Sequence, residues 1–357
     1  MRVTLVTTIP RGGPAEHARL LARELVANDA YVRAIVTSAS QADVFAAAGA
    51  DPVVVTGRTG WVRAVPRACR DADVVHSHDR RSAVWTLTTP GRARGPVRVH
   101  SLHGLHDAFL PLPGQPEPGL RDRVAYRHIE PRLLRRADAV VVPSRAAADL
   151  AEQLGHDRDR MTVVPNGVDV PAEPPAMVGA HVGAIGALEP VKGFDVFLRA
   201  AAIVHEADPF RRFIISGEGS QRTVLGSLAA ALGIDAAVSF AGHEPASCAF
   251  ARLRVLVVSS HFESSPMVAL EAMALGIPVI ATRVGGIPEQ APPGAIVLVE
   301  PNDPAALAAA IDATLADPSS AATRAAFAHR HVLAERSAAA CARAMLALYR
   351  RAIDRRG

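Results

Sequence analysis

The sequence has 357 residues, 49% of them hydrophobic and 21% charged. This excludes a disordered chain and is long for one core, so two domains are expected. The formal net charge of +4 and the pI near 9.4 read first as the Arg-leaning composition of a soluble protein; the sharper readings are an anionic ligand, a membrane surface or nucleic acid, and the basic stretches lack the interleaved aromatics that the last uses. Cys69, Cys248 and Cys341 lie far apart in no CxxC pattern, which excludes a disulfide framework and a cysteine zinc site. No run of 18 uncharged apolar residues occurs, and the first apolar run is too short for a signal peptide. The expected location is therefore the cytoplasm.

The chain opens on an apolar strand at 2–7, a Gly-Gly turn and a helical pattern at 15–27. Strands follow at 32–37, 53–55, 74–77, 97–101 and 139–142, with helices between them, for instance at 61–70 and 120–136. This half closes on Val163-Val164-Pro165-Asn166-Gly167-Val168-Asp169. A proline-rich stretch without periodicity, Pro171 to Pro175, reads as the linker. A second series has strands at 181–185, 213–216, 238–241, 255–258, 279–281 and 296–299, and helices at 194–205, 224–232 and 266–275. After Asp303 the sequence is nearly all helical to Ile353, rich in Ala and Arg. The expected organisation is a first domain at 1–170, a linker at 171–178, a second domain at 179–335, and a last helix at 336–357 that could pack back on the first domain, which the sequence alone does not show. Strand–helix alternation implies an α/β fold: two Rossmann-like doubly wound domains facing across a cleft, with ligands at the strand C-terminal edges.

The segment from Val257 to Ile280 carries most of the chemistry. A buried strand runs into a polar loop, a helix and another strand. Ser265 is expected to cap the helix, with Pro266 at its first position and the free N–H groups of Met267 and Val268 offered to a diphosphate. Glu263 stands just before the helix and Glu271 two turns along it; each carboxylate can accept two hydroxyl hydrogen bonds, as sugars and ribose present them. Glu271 sits among Val268, Leu270, Met273 and Leu275, which argues against an idle surface position. Gly12-Gly13 lies between a strand and a helix, where a backbone can approach phosphate closely; taken alone it is a tight turn. Lysine is scarce in so Arg-rich a chain, and Lys192, before a Gly at a strand–helix junction, suits a phosphate as a flexible point charge. His76 and His78, on either side of Ser77 at a strand end, are expected to face opposite ways, one to the cleft and one to the core. With no third ligand evident beside them, no metal is assigned.

The Glu263…Glu271 spacing within SSHFESSPMVALEAMALGIPVIATRVGG resembles retaining GT-B glycosyltransferases of the GT4 type (glycosyl transferases group 1). The resemblance extends over nearly the whole chain, through RGGPAEHA at Arg11–Ala18, DVVHSH at Asp73–His78, His103-Gly104 and RRADAVVVPS at Arg135–Ser144. It continues with VVPNGVD at Val163–Asp169, KGFD at Lys192–Asp195 and SGEGS at Ser216–Ser220. It implies a nucleotide-sugar donor, UDP-sugar favoured, a hydroxyl acceptor, retention of configuration and no metal or cofactor. Glu263 is implied to bind donor-sugar hydroxyls and Glu271 the ribose, with Ser264, Ser265, Pro266, Met267 and Val268 wrapping sugar and diphosphate. Lys192 would neutralise the diphosphate, Gly12 and Gly13 would admit the phosphates, and His103 would sit beside the transferred sugar. Arg11, His78 and His106 are the acceptor-side candidates.

One departure stands out. Family members commonly carry an Arg in a Gly-Arg-Leu before the Lys-Gly pair, and here the residues are Gly186-Ala187-Leu188; Arg11 and Arg283 are the candidate replacements. A dinucleotide oxidoreductase is excluded, because Arg11-Gly12-Gly13-Pro14 lacks its glycine fingerprint. A sugar-nucleotide epimerase or phosphorylase shares the expected fold, and a non-catalytic carbohydrate-binding protein is the alternative of another class. The arginines of Arg121–Arg136 read as a solvated helix face, or as a peripheral membrane contact suited to a lipid-linked acceptor.

Overall fold

The computed structural model describes residues 1–57, 61, 65–67, 69–88, 95–104, 109–110, 112, 118–175 and 179–356. The expected helix at 61–70 lies only partly within them. The chain divides into two compact units. The first comprises Met1–Phe109, Pro116–Val168 and Arg336–Gly357, and the second Leu110–Gln115 and Asp169–Glu335.

Unit 1 is built on β1 (Arg2–Val6), β2 (Tyr31–Val36), β3 (Asp51–Val54), β4 (Val74–Ser77), β5 (Val97–Ser101), β6 (Ala139–Val142) and β7 (Met161–Val163). Among the described residues they form one parallel sheet in the order β3-β2-β1-β4-β5-β6-β7. Valine-rich strands suit this position, because a parallel sheet carries helices on both faces and its strands are buried on both sides. The described helices are α1 (Gly13–Ala27), α2 (Ala39–Ala47), α3 (Arg80–Thr88), α4 (Leu120–Val124), α5 (Glu130–Leu134) and α6 (Arg145–Gln153). A single π turn, Ala125–Ile129, joins α4 to α5.

Unit 2 repeats the plan with β8 (His181–Ile185), β9 (Phe213–Ser216), β10 (Val238–Gly242), β11 (Leu253–Val258), β12 (Val279–Thr282) and β13 (Val297–Val299), in the order β10-β9-β8-β11-β12-β13. Its helices are α7 (Phe194–Ala207), α8 (Arg222–Ala231), α9 (Ala246–Ala251), α10 (Met267–Ala274), α11 (Pro304–Ala316) and α12 (Pro318–Glu335). Phe197, Leu198, Phe213 and Ile215 are fully buried in its core.

The last helix, α13 (Ala338–Asp354), belongs to unit 1. Its apolar stripe of Ala342, Met345, Leu346 and Tyr349 shares a core with Leu5, Leu21, Leu25 and Val99. The chain leaves unit 1 and returns to it side by side: Val168 N–H donates to Arg336 O at 3.0 Å and Ala338 N–H to Val168 O at 2.8 Å. A Cβ on Gly167 would lie 2.5 Å from the Ser337 carbonyl oxygen, so glycine is what admits this crossing.

In both sheets the strand order reverses beside the first strand, between β1 and β4 and between β8 and β11. The C-terminal ends of those strands are where doubly wound sheets bind ligands.

Candidate functional site

At the β8/β11 crossover of unit 2, Lys192 Nζ donates to Glu263 Oε1 at 2.6 Å, and Ser260 Oγ donates to the same oxygen at 2.9 Å. Lys192 is the single lysine among 357 residues. Both bonds fall on Oε1, which leaves Oε2 to accept from a hydroxyl. The Glu263 side chain is only 10% exposed and the Lys192 side chain 29%.

The loop carrying Glu263 is held by its neighbours' backbone. His261 N–H donates to Val191 O at 2.8 Å, Gly286 N–H to Glu263 O at 2.8 Å, and Thr282 Oγ1 to Ser260 O at 2.6 Å. Gly193 has a φ of 59°, and a Cβ there would strike the Ser259 carbonyl oxygen. The Lys-Gly pair therefore lets the β8 and β11 loops touch at full backbone contact, which brings Lys192 onto Glu263. His261 lies 3.8 Å from Asp195, and their interaction holds the Asp195 carboxyl below its ordinary range against the opposing effect of burial.

The capping of α10 differs from expectation. The N-cap is Pro266, Met267 is the first helical residue, and no side chain caps the end. Ser265 Oγ instead accepts from Gln290 Nε2 at 3.2 Å, and the same amide donates to Pro266 O at 2.9 Å. The N-cap Pro266 has no side chain that could accept from the first α10 amides, and the positive helix end follows Glu263 in the same loop. Ser264 is buried, and Met267 is 8% exposed; Val268 and Glu271 are half-buried. Ala187, where the family's Arg is expected, is exposed. Arg283 is engaged at 3.1 Å with Glu300 on the surface.

Unit 1 builds its crossover from imidazoles. His78 Nδ1 and His103 Nε2 are 3.3 Å apart. His17, from α1, has its ring centroid 4.8 Å from that of His103 and 5.8 Å from that of His78. The His76 ring lies against that of His78, centroids 4.1 Å apart and planes tilted by 33°. The expectation that His76 and His78 face opposite ways is thus corrected: residues two apart in a strand share a face. His76 is fixed from both sides, Nδ1 by the Tyr349 hydroxyl at 2.6 Å and Nε2 by Ser101 Oγ at 2.8 Å. Ser77, pointing the other way, meets His100 Nδ1 at 2.9 Å.

Burial lowers the pKa of these rings. It brings His17 to about 4, against a hydrogen bond with Asn166 that raises it, and His100 to about 3, with Arg80 adding to the effect. Burial first, then the neighbouring imidazoles, holds His76, His78 and His103 well below the ordinary range. At neutral pH each is an uncharged ring with one donor and one acceptor nitrogen. His78 and His103 line an open pocket together with Thr8, Pro14, Asp79 and Arg81. Asp79 ties its walls: its carboxylate accepts from Thr8 N–H at 2.6 Å and from Ser82 N–H at 2.9 Å.

Gly12, with a φ of 89°, is the N-cap of α1, which no side chain caps, and Gly13 opens the helix. Arg11 is exposed. His106 lies outside the described residues. Reading along the sequence passed over His17, Asn166, His100 and Asp79. His17 and Asn166 stood inside quoted motifs, RGGPAEHA and VVPNGVD, whose spacing said nothing of their meeting.

The geometry defines a class, a pair of doubly wound units each with a polar strand crossover. Residues 11–171 match the family described as Glycosyltransferase Family 4, and residues 179–331 match Glycosyl transferases group 1. The chain belongs to the GT4-type, GT-B glycosyltransferase family. A D-inositol 3-phosphate glycosyltransferase of Nocardia farcinica is 35% identical over 271 residues, 69% of this chain and 59% of the relative. A glycogen synthase of Mycobacterium tuberculosis is 30% identical over 271 residues, 71% of this chain and 62% of the relative. The matches thus span about 60% of the length of these curated relatives. Among solved structures, Anabaena Alr3699/HepE in complex with UDP and glucose superposes with a TM-score of 0.83 at 20% identity, over 98% of this chain and 99% of that one. That likeness is one of fold.

Proposed function

We propose that the chain is a retaining glycosyltransferase that moves a sugar from a nucleotide diphosphate sugar, UDP-sugar favoured, to a hydroxyl acceptor without a metal. The observation that carries this reading is the Lys192–Glu263 pair beside the uncapped start of α10. Such a helix end attracts a diphosphate, Lys192 supplies a point charge, and Glu263 Oε2 is placed to accept from a sugar hydroxyl. Glu271 is assigned to the donor ribose. The UDP in the HepE complexes and the names of the curated relatives support a nucleotide-sugar donor.

His103 is the group assigned beside the transferred sugar. As a neutral imidazole it can hydrogen-bond a hydroxyl without competing for the diphosphate. Retention follows from how the carboxylates are used: an inverting enzyme needs a general base aimed at the acceptor, and Glu263 and Glu271 are committed to the donor. In a same-face reaction the departing diphosphate oxygen takes the acceptor's proton. The protein then stabilises the leaving charge and holds the reactants in contact.

The test is a panel of UDP-, GDP-, ADP- and TDP-sugars read by thermal shift, followed by nucleotide release with and without acceptors. D-inositol 3-phosphate is a rational first acceptor because of the relatives' name. Acceptor-dependent UDP release is expected, with an α-configured product from an α-configured donor in proton NMR. A β-linked product overturns retention. Acceptor-independent conversion of the donor indicates epimerisation, phosphate-dependent cleavage a phosphorylase, and binding without turnover a carbohydrate-binding protein. Activity is expected to survive EDTA; loss restored by Mg²⁺ or Mn²⁺ would overturn metal independence.

Among the described residues no helix is long and apolar enough to cross a membrane. Leu120, Val124 and Ile129 are exposed beside Arg121, Arg123 and Arg127. This apolar and cationic surface supports a peripheral contact with anionic lipid. Sedimentation with phosphatidylglycerol vesicles, lost in Leu120→Asp, is the expected result.

A further inference from the structure

We propose that His17, His78 and His103 form a reversible three-imidazole site for Zn²⁺ at the β1/β4 crossover of unit 1. One ligand atom from each of the three lies within 4.8 Å of the others. They come from three different segments: α1, the residue after β4, and the loop after β5.

The donor set fits the ion. Zinc takes imidazole nitrogen at about 2.0–2.1 Å, so two ligands on one tetrahedral ion stand about 3.3 Å apart. His78 Nδ1 and His103 Nε2 already have that 3.3 Å separation. His17 completes the set by a small inward swing of its ring. His17 Nε2 is buried without a hydrogen-bond partner among the described residues, so its coordination displaces no bond of its own, and the one bond given up is that between His78 and His103. A buried nitrogen left in that state is costly, which makes it a point where something is meant to bind.

The surroundings fit as well. Asn166 hydrogen-bonds the His17 side chain, the outer support that ligating histidines usually have. The tilted ring contact of His76 with His78, with His76 itself pinned by Tyr349 and Ser101, supports the second ring. His78 Nδ1 and His103 Nε2 share one proton in their present contact, and it moves to the outer nitrogen of its own ring as the ion enters, so both inner nitrogens can ligate. His78 and His103 also line the open pocket, which provides an entry path and a fourth position for water. The adjacent Asp79 carboxylate, in the same pocket, offsets part of the ion's charge.

A zinc ion there would tie up His103, and transfer would stop until it left. This consequence rests on the transferase reading above; the binding does not.

The test uses the full chain, without a purification tag and stripped with EDTA, titrated with Co²⁺ and followed by visible absorption, and with Zn²⁺ followed by calorimetry. One ion per chain is expected, with the intense bands of four-coordinate Co²⁺. His17→Gln and His78→Gln should each weaken Zn²⁺ at least tenfold, Asn166→Ala should weaken it about 10–100-fold, and the exposed His243→Gln should change nothing. Should His17→Gln fail to fold by circular dichroism, His78→Gln and Asn166→Ala carry the same comparison. Equal affinity in wild type and these variants, or no binding at equimolar metal, overturns the site. Zinc inhibition reversed by EDTA supports the blocking role. Binding without inhibition overturns that role and leaves the site standing, and a chain inactive with every donor still reports the site through absorption and heat.

Discussion

At the crossover between β1 and β4, unit 1 gathers imidazoles that carry no charge at neutral pH. At the matching crossover between β8 and β11, unit 2 gathers a lysine, a carboxylate and an uncapped helix end. The strand order is the same apart from the extra β7 at one edge of unit 1, so topology decides where a site forms and the loops decide its chemistry. A charged crossover suits an anion, and Lys192 with the α10 amides can meet a diphosphate. A neutral crossover can hydrogen-bond a sugar or an acceptor hydroxyl without drawing the diphosphate to itself. Burial differs in the two places. It strips the unit 1 rings of their protons, while in unit 2 Lys192 and Glu263 lie 2.6 Å apart with the lysine side chain still 29% exposed.

Acid should expose this difference most strongly. His17 and His100 have folded pKa values lowered to about 4 and about 3 from 6.5. Below about pH 6.5 the unfolded chain binds protons that the folded chain refuses, so stability present above that pH is lost as pH falls towards the folded values. At ~1.4 kcal/mol per pKa unit, His17 alone accounts for about 3 kcal/mol of the loss. Calorimetric melting from pH 7.5 to 4.0 should show a steep decline that His100→Gln makes shallower. A flat melting temperature over that range would show that the rings are not held neutral.

The next test separates turnover from binding. His103→Ala should lower kcat about 100-fold, the scale expected when a positioning group is lost, and leave UDP affinity within about twofold as measured by calorimetry. Lys192→Ala should do the reverse, weakening UDP by about 1–3 kcal/mol, the scale of a lost charge-assisted contact. Lys192→Arg should recover only part of that, because the planar fork does not replace a point charge. If His103→Ala weakens UDP as much as Lys192→Ala does, the division between the two crossovers is wrong.

Glu271→Ala should also weaken nucleotide binding by about 1–3 kcal/mol with the fold intact, and unchanged affinity would remove the ribose assignment. The smallest effect belongs to Tyr349→Phe. Losing its hydroxyl from His76 Nδ1 should cost about 1 kcal/mol in chemical denaturation. A larger drop in turnover than in stability would show that α13 acts through His76 on the neighbouring His78.

The sequence alone determined the alternation of strand and helix, the two series, and the segment around Glu263. Periodicity, proline and glycine are local signals, and E-x7-E with its flanking strand and helix sits in one continuous stretch. The start of α10 lies one residue later than the local signal gives, and Ser265 meets Gln290, 25 positions on, a contact with no local signature. What only the tertiary structure decided is the meeting of distant residues. Lys192 and Glu263 are 71 positions apart and touch because Gly193 lets two loops close on each other. His17, His78 and His103 meet because the parallel order puts β1, β4 and β5 side by side, and Tyr349 reaches His76 across 273 positions because α13 returns to unit 1. A histidine carries no local pattern that announces its neighbours. Its burial, and so its loss of charge, arises only when separate strands and helices close around it.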